Sequence, residues 1–248
     1  GNQIHPKEQE RKKELIRIIN ETYKRKGKLM IPSFAVERAQ EILYYLGEFM
    51  QDNLIPKMPV YLDSPMAMKA TNVFEKFPEY YNKDIQEALK TRKNLFDFPQ
   101  LIKTETVQES KQINSIKTPC IIIAGNGMCT AGRIKHHIRN NISDSKNTLL
   151  FVGYQVQGAL GYWIKKGEKL IRLLGTEVKV NAKIESIEGF SAHADSPALT
   201  KWIQNFSPKP KKIFITHGDI EQSLAFSKNL EKLGYKTYIP SLKEDLEI

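Results

Sequence analysis

Residues Lys28–Gln51 read KLMIPSFAVERAQEILYYLGEFMQ, and this stretch decides the fold. KLMIPSF is a short apolar run of the kind that forms a buried strand, and VERAQEILYYLGEFMQ is an amphipathic helix directly after it. The pattern repeats downstream. MPVYLD (58–63) is a strand, followed by SPMAMKATNVFEKF with Ser64 as N-cap and Pro65 at the first helical position. PCIIIAG and NTLLFVGY are further strands, and each leads into a helical stretch, AGRIKHHIRNNI and GALGYWIKKG. Strands that alternate with helices imply a parallel sheet with crossover helices. Upstream, Leu15, Ile16, Ile18, Ile19 and Tyr23 recur at helical spacing, so a first helix is expected over Pro6–Lys26, broken at Gly27.

The texture changes beyond about residue 175. TEVKVNAKIESIEGF alternates like a strand, SPALTKWIQNF is helical, KKIFITHG is a buried strand, EQSLAFSKNLEKLG is a helix and YKTYIP is a last strand. A domain boundary is therefore placed near 176–180. Residues 80–117 are less regular and suggest a helix and loop, then a strand and helix.

The composition narrows the function. The net charge is +10, which favours a polyanionic partner such as nucleic acid or an acidic membrane surface. No apolar run approaches the roughly 20 residues that span a bilayer. Two cysteines, Cys120 and Cys129, build no disulfide framework or zinc knuckle, so the expected compartment is the reducing cytoplasm. Cys120 reads as a strand residue and Cys129 as a small loop residue.

In open α/β sheets ligands meet the loops beyond the carboxyl ends of the strands. Those loops here are PSFAVERAQ, LDSPMA, AGNGMCTAGR, GYQVQGALG, FSAHADS and THGD. AGNGMCTAGR has glycines at 125, 127 and 132 with Thr130 and Arg133 at the helix start. It can cradle a phosphate or form a tight structural turn, and it matches no nucleotide-binding signature. Gln155 and Gln157 are hydrogen-bonding groups in GYQVQGALG. Arg38 can grip a phosphate or pair with Glu37 or Asp63, and Asp63 can be an acid or a helix cap. His136 and His137 point about 100° apart on a helix, so both are read as surface or boundary residues. His5 lies in a polar segment without a visible partner. His193 and His217 each follow an apolar run, where side chains converge on a cleft.

IPSFAVERAQEIL, YLDSPMA, GNGMCTAGR, GYQVQGALG, IEGFSAHAD and THGD, in this order over essentially the whole chain, resemble the β-CASP family of metallo-β-lactamase-fold nucleases. That family includes RNA-processing enzymes of bacteria and archaea and the endonuclease of the cleavage and polyadenylation machinery. The resemblance implies an α/β architecture: a Rossmann-like parallel-sheet β-CASP domain at 1–178, and at 179–248 the C-terminal segment of a metallo-β-lactamase αββα fold. It gives His193 the place of a proton donor to the leaving group and His217 the place of a zinc ligand. A histidine at the second position is typical of the RNA-acting branch. Ser191, Thr130, Arg133, Arg38 and Asp63 are the candidate RNA- and phosphate-binding residues.

The family's HxHxDH signature, next histidine and bridging aspartate do not occur among the five histidines and neighbouring residues of this sequence. The chain is therefore expected to be a fragment that begins where the first metallo-β-lactamase segment ends, with Gly1 as the glycine of an ESTYG-like motif. The resemblance implies two zinc ions in the intact enzyme, not bound by this piece, with single-stranded RNA as substrate. The fragment is expected to be inactive and to self-associate as a homodimer through exposed apolar surface, without membrane attachment. A non-catalytic RNA-binding scaffold and a DNA-processing nuclease of the same family stay open as alternatives.

Overall fold

The computed structural model describes residues 1–92, 94–191 and 193–245. The chain divides into two compact units, one of Lys7–Phe190 and one in which Gly1–Pro6 joins the chain from Ser191 onward.

The larger unit is built on a six-stranded parallel sheet. Its strands are β1 (Lys28–Pro32), β2 (Val60–Asp63), β3 (Leu101–Lys103), β4 (Cys120–Ala124), β5 (Thr148–Phe151) and β8 (Lys183–Ser186), in the order β3-β2-β4-β1-β5-β8. Alternation of side chains sends each strand to two cores. On one face Leu29, Ile31, Ile121, Ile123 and Leu150 meet α1 (Glu8–Lys24) and α2 (Arg38–Gln51) through Leu15, Ile18, Ile42 and Leu46. On the other, Met30, Cys120, Ile122, Leu149 and Phe151 meet α6 (Ile134–Asn141) through Ile134 and Ile138. Sheets covered on both faces need strands that are apolar at consecutive positions, which is why β1 and β4 are buried along their whole length.

The sequence places most of these elements correctly. The Ser64 hydroxyl accepts the Ala67 N–H at 3.3 Å and starts α3 (Pro65–Lys76), with Pro65 in its first turn. The irregular stretch supplies α4 (Lys83–Thr91), β3 and α5 (Val107–Ile113), and α7 (Leu160–Lys165) follows β5. Two features differ. β6 (Leu170–Leu173) and β7 (Thr176–Lys179) form an antiparallel hairpin whose turn, Leu174–Gly175, has positive φ at both positions. And the alternating stretch 176–190 is not one strand. Its second half is β8, which pairs with β5 from Thr148↔Lys183 to Phe151↔Ser186. Residues 179–190 pack in the larger compact unit, which ends at Phe190.

The smaller unit contains α8 (Ser196–Gln204), β9 (Ile213–Phe214), α9 (Ile220–Lys232) and β10 (Thr237–Tyr238), with β9 and β10 paired in parallel. Ile203, Phe226 and Leu230 form its core. Among the described residues no helix is long and apolar enough to cross a membrane.

Candidate active site

In the smaller unit the loops that follow Phe190 and β9 bring His193 and His217 together. Their rings stand 6.5 Å apart between centroids and lie within 27° of parallel. Both side chains are exposed, so a group lying between the rings can touch both. Neutral imidazole offers either a proton or a lone pair, so such a pair can move a proton or bind a metal. His217 has φ of 61°, a left-handed conformation that costs a non-glycine residue about 1 kcal/mol and clusters at functional sites. The Ser191 hydroxyl accepts the His193 backbone N–H at 3.1 Å, so in this structure Ser191 shapes the turn that carries the imidazole.

Asp195 fixes the same loop from the other side. Its Oδ1 accepts the Ala198 N–H at 3.0 Å and caps α8. Its Oδ2 accepts the His5 N–H at 3.2 Å, and the Gln3 carbonyl accepts the Ser196 N–H at 3.0 Å. These backbone bonds, Ala198 first, hold the Asp195 carboxyl below the ordinary aspartate value. His5 therefore has a partner after all, one set in the chain 190 residues away.

In the larger unit the loops after β2 and β4 converge on Asp63, which is completely buried. Its Oδ1 accepts from Thr104 Oγ1 at 2.6 Å and Arg133 Nη1 at 2.7 Å; its Oδ2 accepts from Ser110 Oγ and His137 Nε2, both at 2.6 Å. Arg133 also donates to the carbonyls of Thr104 and Glu105, at 2.9 and 2.8 Å. Burial, the strongest single influence, pushes the carboxyl upward, but the donors from His137, Ser110, Thr104 and Arg133 together hold it at about 2.

Three expectations are corrected here. Asp63 does not face a phosphate, because its oxygens are shut inside the fold. His137 is not a surface residue. It is fully buried on the inner face of α6 with Ile134, Ile138 and Asn141, and only His136 is exposed. Arg38 pairs with neither Glu37 nor Asp63. It is buried, ion-paired to Glu41, and its guanidinium lies 5.8 Å from the centroid of the Phe190 ring. Arg11 lies 5.2 Å from the same ring and donates to the Gly189 carbonyl at 2.9 Å. Two arginines thus lie against Gly189–Phe190, and Arg38 is committed to Glu41 through Nη1.

The glycine-rich loop is packed from within. Gly132 has φ of 75°, and a Cβ there would stand 2.3 Å from the Gly125 carbonyl oxygen. A Cβ on Gly127 would approach the Phe34 ring to 3.0 Å. Gln155 is buried and donates to the Gly127 carbonyl at 2.9 Å, tying the two glycine-bearing loops together. Thr130 remains exposed. Both cysteines are buried, which pushes their thiols up to about 11 for Cys120 and about 12 for Cys129 and makes them inert. A cavity of about 760 Å³ lined by Gly47, Lys57, Arg92 and Gln100 opens before the first residues of β2 and β3, at the sheet edge away from these loops.

A zinc ion takes three or four protein ligands. Among the described residues no group of three or more His, Cys, Asp and Glu side chains could hold a metal. His217 offers one imidazole, so these residues do not fit a zinc ion by themselves.

The chain thus combines a parallel α/β sheet, with glycine-bearing loops at its strand ends, and a second unit that carries two facing histidines. The family model described as the Beta-Casp domain matches residues 39–164, and the one described as the Zn-dependent metallo-hydrolase RNA specificity domain matches residues 177–240. The chain belongs to the β-CASP family. It is 36% identical over 248 residues to Ribonuclease TTHA0252 of Thermus thermophilus, covering 100% of this chain and 56% of that protein. It is 34% identical over 244 residues to the transcription termination factor FttA of Methanocaldococcus jannaschii, covering 96% of this chain and 38% of that one. With FttA of Methanothermobacter thermautotrophicus the identity is 35% over 251 residues, 99% of this chain and 38% of the relative. The chain thus spans about half the length of the ribonuclease and less of the termination factors.

Proposed function

We propose that the intact protein hydrolyses phosphodiester bonds of single-stranded RNA, as a zinc-dependent processing or decay nuclease. This chain supplies the RNA-binding β-CASP domain and two histidines of the site. The observation that carries the reading is the exposed, facing pair His193 and His217, in a segment that matches an RNA specificity domain. His193 protonates the leaving 3′-oxygen as general acid. Its loop is held by the Ser191 hydroxyl behind it and by Asp195 ahead of it. Exposed Thr130 and Ser191 meet phosphate oxygens. His217 contributes one zinc ligand, and the remaining ligands come from outside the described residues.

The test is RNA cleavage in zinc by the intact protein beside His193→Ala and His217→Ala. Loss of a general acid removes 10²–10⁴-fold of rate, so each variant is expected to lose at least about 100-fold, and only His217→Ala to lose bound zinc. Wild-type cleavage by both variants overturns the assignment. A non-catalytic RNA-binding scaffold is the second reading. That reading requires an intact protein that binds RNA without cutting it.

A further inference from the structure

The larger unit holds a cavity of about 760 Å³ whose walls include neither the histidine pair nor Asp63 and its partners. That size suits a small molecule, since ligand pockets run from about 300 to 1,000 Å³. The walls come from α2 at Gly47, from Lys57 ahead of β2, and from the stretch between α4 and β3 that carries Arg92, Asp97, Phe98 and Gln100. A glycine inside a helix is less stable than an alanine, and here the bare position has a use. A Cβ on Gly47 would stand 2.6 Å from Arg92 Nη2 and 3.2 Å from Phe98 Cδ1, so the cation and the ring share one spot over the helix. The Arg92 guanidinium also lies 5.3 Å from the centroid of the Tyr44 ring, and its Nη2 reaches the Leu95 carbonyl only at 3.5 Å. Among the described residues, Arg92, Lys57 and Asp97 form no ion pair.

The guanidinium is thus held in place by rings while its hydrogen bonding is weak, which leaves a fork suited to a phosphate. The walls carry two cations, Arg92 and Lys57, and one carboxylate, Asp97. That surplus of positive charge favours an anion over a neutral or cationic ligand. The single carboxylate accepts hydroxyls, as the diol of a ribose offers. Phe98 presents apolar surface to a flat ring, and the Gln100 amide both donates and accepts, as the edge of a base requires. Phosphate, sugar and base each meet a group of fitting chemistry within one cavity.

We propose that this cavity binds a free nucleoside 5′-monophosphate, with the phosphate on Arg92 and Lys57, a ribose hydroxyl on Asp97 and the base against Phe98. The cavity opens ahead of β2 and β3, whereas the glycine-rich loop follows β4, so its occupant leaves that loop free. Titration calorimetry on the intact protein compares AMP, adenosine, inorganic phosphate and pentauridylate carrying a 5′-phosphate. AMP is expected to saturate one site, at least about 10-fold tighter than adenosine or phosphate. Arg92→Ala is expected to weaken AMP about 10- to 150-fold, the loss of a charge-assisted contact. Asp97→Asn is expected to weaken AMP at least about 5-fold and to tighten inorganic phosphate, because a like charge is removed. Lys57→Ala, at an exposed position, keeps the test open if Arg92→Ala does not fold, with a loss of at least about 5-fold.

No saturable AMP binding at millimolar concentration overturns the proposal. So does AMP binding that neither Arg92→Ala nor Lys57→Ala weakens, because the nucleotide then sits elsewhere. Inorganic phosphate that binds as tightly as AMP overturns the nucleotide and leaves a simple anion site. Pentauridylate that displaces AMP at equal affinity, and depends on Arg92, overturns the free nucleotide in favour of an RNA end. None of these readouts requires RNA cleavage, so the proposal stands or falls apart from the nuclease reading.

Discussion

Asp63 shows how one residue can be decisive for reasons its position in the sequence hides. Its carboxyl titrates at about 2 in the fold, against 3.8 for a free aspartate. A lowered value means that the ionised form stabilises the folded chain. That stabilisation is complete above about pH 4 and is lost as pH falls from there through the folded value. The difference is worth about 2 kcal/mol. Asp63→Asn is therefore expected to lower stability by about that amount at pH 7. It is also expected to remove the part of the acid sensitivity between about pH 4 and 2 that the wild type shows. Urea unfolding of both proteins at pH 7 and pH 3 measures this, and an identical pH dependence of the two would show that the carboxylate is not the titrating group. None of this was legible beforehand, because Asp63, Thr104, Ser110, Arg133 and His137 lie far apart in the chain. The adjacent pair His136–His137 reads as surface because helical geometry cannot aim both inward, and the fold resolves it by burying one.

At the scale of the element, α8 begins where Asp195 caps it and ties it to residue 5. Asp195→Ala is expected to speed amide hydrogen exchange at Ala198 and His5 together, by about five-fold, the factor of an ordinary cap. Exchange that rises at Ala198 alone would show that the link to the N-terminal segment carries no stability. The cap was legible, since an aspartate one residue before Ser-Pro starts helices; its second bond was not, since nothing local marks His5 as a partner. The same contrast holds for strands. β1, β4 and β5 were legible because buried parallel strands carry consecutive apolar residues, here Leu29–Ile31, Cys120–Ala124 and Leu149–Phe151. The β6–β7 hairpin was not, because its turn places Leu174, where asparagine or glycine would have announced two positive φ angles. β8 merged with β7 in the sequence because both alternate, and only pairing separates them.

At the scale of the whole molecule, the ligand set gives a further expectation. Residues 1–248 purified alone are expected to hold no stoichiometric zinc and to show no EDTA-sensitive ribonuclease activity, as elemental analysis and an RNA cleavage assay would record. Finding both would mean that the metal ligands lie elsewhere than His217. The two histidines were picked out in the sequence because each follows an apolar run. The identity of their neighbours required the fold.

The smaller unit takes its first residues from Gly1–Pro6 and the rest from Ser191 onward, and this order has a consequence for synthesis. At ribosomal rates of 5–20 residues per second, the intervening 7–190 need roughly 10–40 s to emerge. During that interval the larger unit can close its sheet, while Gln3 and His5 wait for Ser196 and Asp195 to be made. The histidine loop therefore gains its contacts with Gln3 and His5 only after residues 7–190 have been made.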